Sequence, residues 1–236
     1  MKLLIHASGK SFLVKDTSKD YHCDFGMIKK EDFEKESAVS NKGERFICLD
    51  AAASDLYRVI KRGAQIMLLK DLAVIVAECG IDKSSIVLDV GTGSAGSACF
   101  LAGIAKKVHT YDVRPDHIAI AKKNAEWLNL KNIVFHEHDM YAQAPKLRNA
   151  DAAIIDLLLP HKALPNVLKC VKRGGFIATY SPHITQTKEL IDSLSECVHI
   201  KTIETIQREW EVAERLCRPR FGNVVHTGFV TILRKV

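Results

Sequence analysis

The chain has 236 residues, 47% of them hydrophobic and 26% charged, with a net charge of +6 from 34 basic and 28 acidic side chains. That balance excludes a disordered polyelectrolyte and predicts one large core domain, or a core plus a small module. A positive excess of this size is compatible with RNA without establishing it, and no apolar run is long enough to span a bilayer.

The opening "MKLLIHASGK" is too short an apolar patch for a signal peptide and reads as a first strand, so a cytoplasmic protein is expected. Residues 1–60 are turn-rich. "KLLIHA" and "SFLV", split by Ser-Gly-Lys, predict a hairpin, and "HCDFGMIKKEDF" and "NKGERFICLD" add strand-like pieces. A small β-rich domain is expected over 1–60. The seven cysteines include no CxxC and no Cys/His pair at zinc-finger spacing, which argues against a structural metal and for reduced thiols.

Residues 61–236 have a different rhythm. "KDLAVIVAECG", Lys70–Gly80, spaces its apolar residues as a helix and closes on glycine. Strands and helices then alternate. "SSIVLDV", "KVHTYDV", "NIVFHEHD", "DAAIIDLLL" and "FIATYSP" read as five strands. "SACFLAGIA", "DHIAIAKKNAEWLNL", "HKALPNVLKCVKRGG" (ending at Gly174–Gly175) and "ITQTKELIDSLSEC" read as helices. "HIKTIETIQREW" and "VVHTGFVTILRKV" close the chain as strands with no helix between them, which predicts an antiparallel edge. The succession predicts an α/β fold with a doubly wound, Rossmann-like, mostly parallel sheet. Ligands are expected beyond the carboxyl ends of its strands.

"LDVGTGSAGS", Leu88–Ser97, places Gly91, Gly93 and Gly96 as GxGxxG between a strand and a helix. Glycines let the turn bend sharply and let backbone approach a ligand. Asp112 ends the second strand, 21 positions after Gly91, where it can accept from ribose hydroxyls. This context fits dinucleotides and S-adenosylmethionine alike. Asp89, two places before Gly91, separates them. A carboxylate there repels a pyrophosphate but suits the ammonium and sulfonium of S-adenosylmethionine. Asp139, ending the third strand, has two readings, acceptor for an adenine amino group or a cap in its own loop.

"AAIIDLLLPH", Ala152–His161, sets one acid in an apolar run. An unpaired buried charge is costly, so Asp156 is either a core or capping carboxylate with a partner, or part of the chemistry. It sits at the exit of the fourth strand. Tyr180 ends the fifth, either beside a substrate ring or as a buried aromatic at the sheet edge.

At these residues the sequence resembles the tRNA adenine-N1 methyltransferases that act on the T-loop, in their archaeal and bacterial homo-oligomeric form. The resemblance covers nearly the whole chain. It is carried by "GAQIMLLKDLAVIVAECGI", "LDVGTGSAGS", "HTYDVRPDHIAIAKKNAE", "IIDLLLP", "LKCVKRGGFIATYSPHITQT" and "HTGFVTILRKV". It implies a class I methyltransferase fold with a seven-stranded sheet over 61–236, S-adenosylmethionine as cofactor, tRNA as partner, and a tetramer.

By the same resemblance, Asp156 and Tyr180 are catalytic. Gln65, Asp89, Gly91, Thr92, Gly93, Ser94, Gly96, Ser97, Asp112, Val113, Arg114, His138, Asp139 and Asp156 line the cofactor, and no metal is involved. The family more often has Glu where Asp89 and Asp112 stand. Its catalytic loop commonly reads Asp-Leu-Pro-Glu-Pro-Trp, against "DLLLPH" here, so that Leu159 and His161 replace Glu and Trp. The implied reaction is methylation at N1 of a T-loop adenine, at position 57, 58 or both, with the base flipped out of the tRNA elbow. Two other readings remain: a methyltransferase for another RNA or a small molecule, and a noncatalytic tRNA-binding subunit. "REWEVAERLCRPRF", Arg208–Phe221, mixes arginines, aromatics and glutamates, and suits RNA or an oligomer contact.

Overall fold

A computed structural model describes residues 1–63, 65–213, 215–222 and 226–236. The chain forms two compact units, Met1–Val59 and Ile60–Val236.

In the first unit, β1 (Lys2–His6), β2 (Ser11–Val14), β5 (Ser37–Val39) and β6 (Arg45–Asp50) form an antiparallel sheet ordered β2-β1-β6-β5. A separate ribbon pairs β3 (Tyr21–Cys23) with β4 (Gly26–Ile28). Period-two alternation sends Phe46 and Cys48 of β6 inward to join Leu4, Val14, Ile28 and Phe33 in one apolar cluster. A short helix, α1 (Ala53–Tyr57), follows.

The second unit opens with α2 (Leu69–Glu78), which buries Leu72 and Ile75 and stops at Gly80, whose φ of +59° a side chain would resist. Then come β7 (Ile86–Val90), α3 (Gly96–Ala102), β8 (Lys107–Asp112), α4 (Pro115–Trp127) and β9 (Ile133–Glu137). These are followed by β10 (Ala150–Ile155), α5 (Pro160–Leu168), β11 (Val171–Ser181), α6 (Ile184–Asp192) and β12 (Cys197–Glu204). The hairpin β13 (Trp210–Ala213) and β14 (Leu216–Pro219) precedes β15 (Phe229–Lys235). Seven strands form one sheet, ordered β12-β15-β11-β10-β7-β8-β9. Six of them point the same way, while β15 runs antiparallel to both of its neighbours, β11 and β12. The antiparallel edge follows from the absent crossover helix, since parallel strands need one. Strand order reverses between β7 and β10, the position where doubly wound sheets bind ligands.

Three sequence expectations are corrected. The helix expected through Gly175 ends at Leu168, because Val171 already pairs with Ala150 in the sheet. Gly174, at φ +75°, lies where the β10–β11 register shifts. The strand expected to run to Trp210 stops at Glu204, and Trp210 begins the hairpin instead. The closing strand starts at Phe229, while Val224 and Val225 of that expectation, and Glu214 of the 208–221 segment, lie outside the described residues. Among the described residues no helix is long and apolar enough to cross a membrane.

Candidate active site

The first and fourth strands of the alternating series, β7 and β10, lie side by side, so the glycine loop and Asp156 emerge together. Asp156 donates its backbone N–H to the Val90 carbonyl at 2.8 Å. Gly91, at φ +100°, passes so close that a Cβ there would stand 2.2 Å from the Asp156 carbonyl oxygen. Glycine is therefore required twice at position 91, for backbone angle and for space. The Gly91 and Thr92 amides both donate to the Tyr111 carbonyl, which closes the turn onto β8. Gly93 at φ +50° and Ala95 at φ +60° complete the bend into α3, which begins at the buried Gly96.

The four acids of this region differ in what surrounds them. Asp89 is 0% exposed, accepting at Oδ1 from Ser97 Oγ (2.9 Å) and at Oδ2 from Thr110 Oγ1 (2.6 Å). Thr92 Oγ1 lies 2.7 Å from Thr110 Oγ1 and extends this chain. Burial pushes the Asp89 carboxyl up to about 6, against the opposing effect of the two hydroxyls. The carboxylate thus lies beneath the loop, not along its lip, and acts through its charge and by holding α3.

Asp112 has acceptor capacity to spare. Oδ2 accepts from the Gly93 amide at 2.9 Å and faces His117 Nδ1 at 3.1 Å, and Oδ1 accepts from the Arg114 amide at 2.9 Å. A carboxylate has about four lone-pair sites, so one remains for a hydroxyl. Arg114 serves Asp112 through its backbone, while its guanidinium turns to Asp116 at 2.7 Å. Asp139 accepts at Oδ1 from the Tyr141 and Ala142 amides, which supports its turn-forming reading. His138 donates its amide to the Asp112 carbonyl, and its Nε2 lies 2.9 Å from the Gln143 carbonyl. Val113 is an exposed apolar residue at the end of β8, and Gln65 is exposed ahead of α2.

Asp156 stands apart from these three. It is half-buried, and no described residue donates a hydrogen bond to its carboxylate. Burial first, and then the neighbouring Asp89 charge, push it up to about 7. Tyr180 is placed differently from its catalytic expectation. Its ring is 8% exposed, and a Cβ on Gly228 would come within 2.7 Å of Cζ. Its hydroxyl donates to the Thr227 carbonyl at 2.8 Å. This geometry fits the buried-aromatic reading and leaves no face for stacking a base. Tyr111 is likewise a core ring, stacked on His136 at 4.3 Å.

Several residues that the sequence did not single out complete the site. Ser94 Oγ accepts from the Gly63 amide at 2.8 Å, and its carbonyl accepts from Asn124 Nδ2 at 2.9 Å. Asn124 also exchanges two bonds with the Lys61 backbone, which pins residues 61–63 to the loop and to α4. A buried Asn within an amphipathic helix is an unfavourable helix former, and that was the available signal. Thr110 and His117 are visible only once β7 and β8 are paired. Arg218 and Arg220 of the 208–221 segment pair with Glu211 and Glu209, so neither is a simple free cation.

The loop residues and acids fit S-adenosylmethionine by donor chemistry. Spare carboxylate acceptors and a negatively charged floor suit a hydroxylated, cationic ligand and not a pyrophosphate. Known proteins point the same way. Residues 46–231 match the family described as the tRNA methyltransferase complex GCD14 subunit. The chain belongs to this family.

A tRNA (adenine(58)-N(1))-methyltransferase, TrmI, from Thermus thermophilus is 34% identical over 75% of this chain and 71% of its own length. A tRNA (adenine(57)-N(1)/adenine(58)-N(1))-methyltransferase from Methanocaldococcus jannaschii is 29% identical over 99% of this chain and 94% of its own. Among solved structures, the tRNA (m1A58) methyltransferase TrmI from Aquifex aeolicus superposes with a TM-score of 0.84 at 23% identity, covering 100% of this chain and 96% of that one. An S-adenosylmethionine-dependent O-methyltransferase from Thermotoga maritima superposes with a TM-score of 0.90 at 24% identity, covering 100% and 92%. At these identities the two structures speak to the fold.

Proposed function

We propose that this protein transfers a methyl group from S-adenosylmethionine to N1 of an adenine in the T-loop of tRNA. The observation that carries the reading is the Asp156 carboxylate at the β7–β10 reversal, to which no described residue donates a hydrogen bond, whereas Asp89 and Asp112 already accept at both of their oxygens. When bound, S-adenosylmethionine supplies an electrophilic methyl group on a sulfonium. Asp112 would hold a ribose hydroxyl, and Val113 and His138 would line the adenosine. Gly91, Thr92, Gly93, Ser94, Gly96 and Ser97 would hold the amino-acid end.

Neutral adenine needs no base to free its N1 lone pair. Asp156 instead accepts a hydrogen bond from the exocyclic amine, which orients that edge and offsets the positive charge growing on the ring. A free carboxylate does this best in the low dielectric of a half-buried crevice, the environment that raises its own pKa. Tyr180 contributes by securing β11 to residues 227–228.

The working unit is read as a homo-oligomer, a tetramer on family grounds. Exposed Trp210, Val212 and Phe221 around the β13–β14 hairpin support it, being apolar surface suited to a second copy. A tRNA substrate supports the reading of a cytoplasmic protein. The test is incubation with unmodified tRNA transcripts and labelled S-adenosylmethionine, followed by mass spectrometry of the nucleosides. Label on N1 of a T-loop adenine supports the reading; donor binding without any tRNA product ends it.

A further inference from the structure

Asp156 is followed by three leucines before α5, and this short stretch is held at both ends. At its base, the Asp156 backbone is locked between Val90 and Gly91, as described above. At its tip, two polar side chains from different parts of the chain grip the two polar atoms of the single peptide group that joins Leu158 to Leu159. Gln186, in the first turn of α6, donates Nε2 to the Leu158 carbonyl at 2.8 Å, while its Oε1 accepts from the His183 amide at 3.1 Å. Tyr141 accepts the Leu159 amide on its hydroxyl at 3.2 Å.

Tyr141 is itself fixed on both sides. Its amide donates to Asp139 Oδ1 at 2.8 Å, and its carbonyl accepts from Asn166 Nδ2 at 3.3 Å. Beside these grips Leu158 stands 73% exposed.

An exposed leucine on a loop tip needs no such scaffold, since water satisfies the peptide groups of a free loop. Two dedicated side-chain bonds on consecutive residues hold the backbone in one path and direct an apolar side chain outward beside the free acid. We propose that Tyr141 and Gln186 are positioning residues that keep 157–159 as a rigid lip, against which Leu158 seats the substrate base. Through Asp139 the lip is tied to the loop expected to flank the cofactor, so the two ends of the site share one framework. The inference rests on the reading of Asp156 as the acid that meets the substrate.

The test uses the full chain with a T-loop tRNA transcript and four variants, Leu158→Met being the conservative control. Gln186→Glu keeps the acceptor for the His183 amide and removes the donor to Leu158. Tyr141→Phe keeps the ring and removes the hydroxyl. Leu158→Ala removes the apolar wall. Measured quantities are single-turnover rate at saturating tRNA, KM for tRNA, donor affinity by calorimetry, and melting temperature.

Gln186→Glu and Tyr141→Phe are expected to lower the single-turnover rate about five- to tenfold each, with donor affinity and melting temperature unchanged. Leu158→Ala is expected to raise KM for tRNA, and Leu158→Met to restore it. Rates within about twofold of the unsubstituted protein for both polar variants overturn the lip while leaving the methyltransferase reading intact. Rate losses that appear only with falling melting temperature also overturn it. An unsubstituted protein that transfers no label to tRNA ends the methyltransferase reading, and the lip with it.

Discussion

The amide of Asp156 donates to the carbonyl of Val90 at 2.8 Å, which fastens the exit of β10 to the end of β7. One hydrogen bond thereby joins the acid assigned to chemistry to the turn that starts the glycine loop. On the proposed reading, donor and acceptor sites would stand on neighbouring strands, an arrangement that suits methyl transfer between two aligned reactants.

Replacing Asp156 tests its role most directly. Asp156→Ala and Asp156→Asn are expected to keep donor and tRNA binding while losing about two to three orders of magnitude in single-turnover rate, as for loss of a preorganised charge partner. Removing a charge that its surroundings disfavour should also raise the melting temperature at neutral pH. Scanning calorimetry beside rapid-quench kinetics separates the two effects. A near-normal rate returns Asp156 to a structural role.

The pH dependence follows from the same group. The ionised form of Asp156 does the work, so the single-turnover rate should rise with pH and reach half its maximum near about 7. Stability moves oppositely. Asp156 and Asp89 are both raised above the ordinary carboxylate range, to about 7 and about 6. Between that range and those values the folded state holds more protons than the unfolded one. Their contribution to stability is complete below pH ~4 and is lost as pH rises through 6 and 7. Melting curves across this window check the sign, and Asp156→Asn should flatten the upper part of the profile.

Gly91→Ala should fail on geometry alone. The new Cβ meets the Asp156 carbonyl oxygen at 2.2 Å while φ sits at +100°. We expect a cost of about 2–4 kcal/mol and loss of donor binding, read by chemical denaturation and titration calorimetry. Retained affinity would show that the loop relaxes without disturbing the site.

Thr110→Val isolates the floor of the loop. It is nearly isosteric, but it withdraws the 2.6 Å hydrogen bond to Asp89 and leaves Thr92 without its hydroxyl partner. The expected cost is about 1–3 kcal/mol, with weakened donor binding. Denaturant midpoints compared with those of Ser97→Ala, which withdraws the other donor, show whether the two hydroxyls act together.

Much of this site was legible in the residue string, for local reasons. Gly91 and Gly93 announce a sharp turn because few residues tolerate positive φ, and Asp112 and Asp156 end apolar runs whose length is that of a strand. The errors were also local. Val171–Gly175 reads as the end of the preceding helix up to its paired glycines, but it enters the sheet across the shift in β10–β11 register between Val171 and Phe176. Tyr180 looks accessible at a strand end until Gly228 closes over its ring. Tyr141 and Gln186 carry no pattern in the string, since their partners lie 18 and 28 positions away.

By itself, then, the sequence determined the succession of strands and helices, the glycine turn between β7 and α3, and which acids leave which strands. Those features depend on backbone preferences and apolar periodicity, which act over a few neighbouring residues. Only the tertiary structure decided how the acids differ. Burial and hydrogen-bond partners come from distant segments brought together by packing, and these set the state of a carboxyl group. Thr110 and Ser97 engage Asp89, Gly93 and the Arg114 amide engage Asp112, and among the described residues none donates a hydrogen bond to the Asp156 carboxylate.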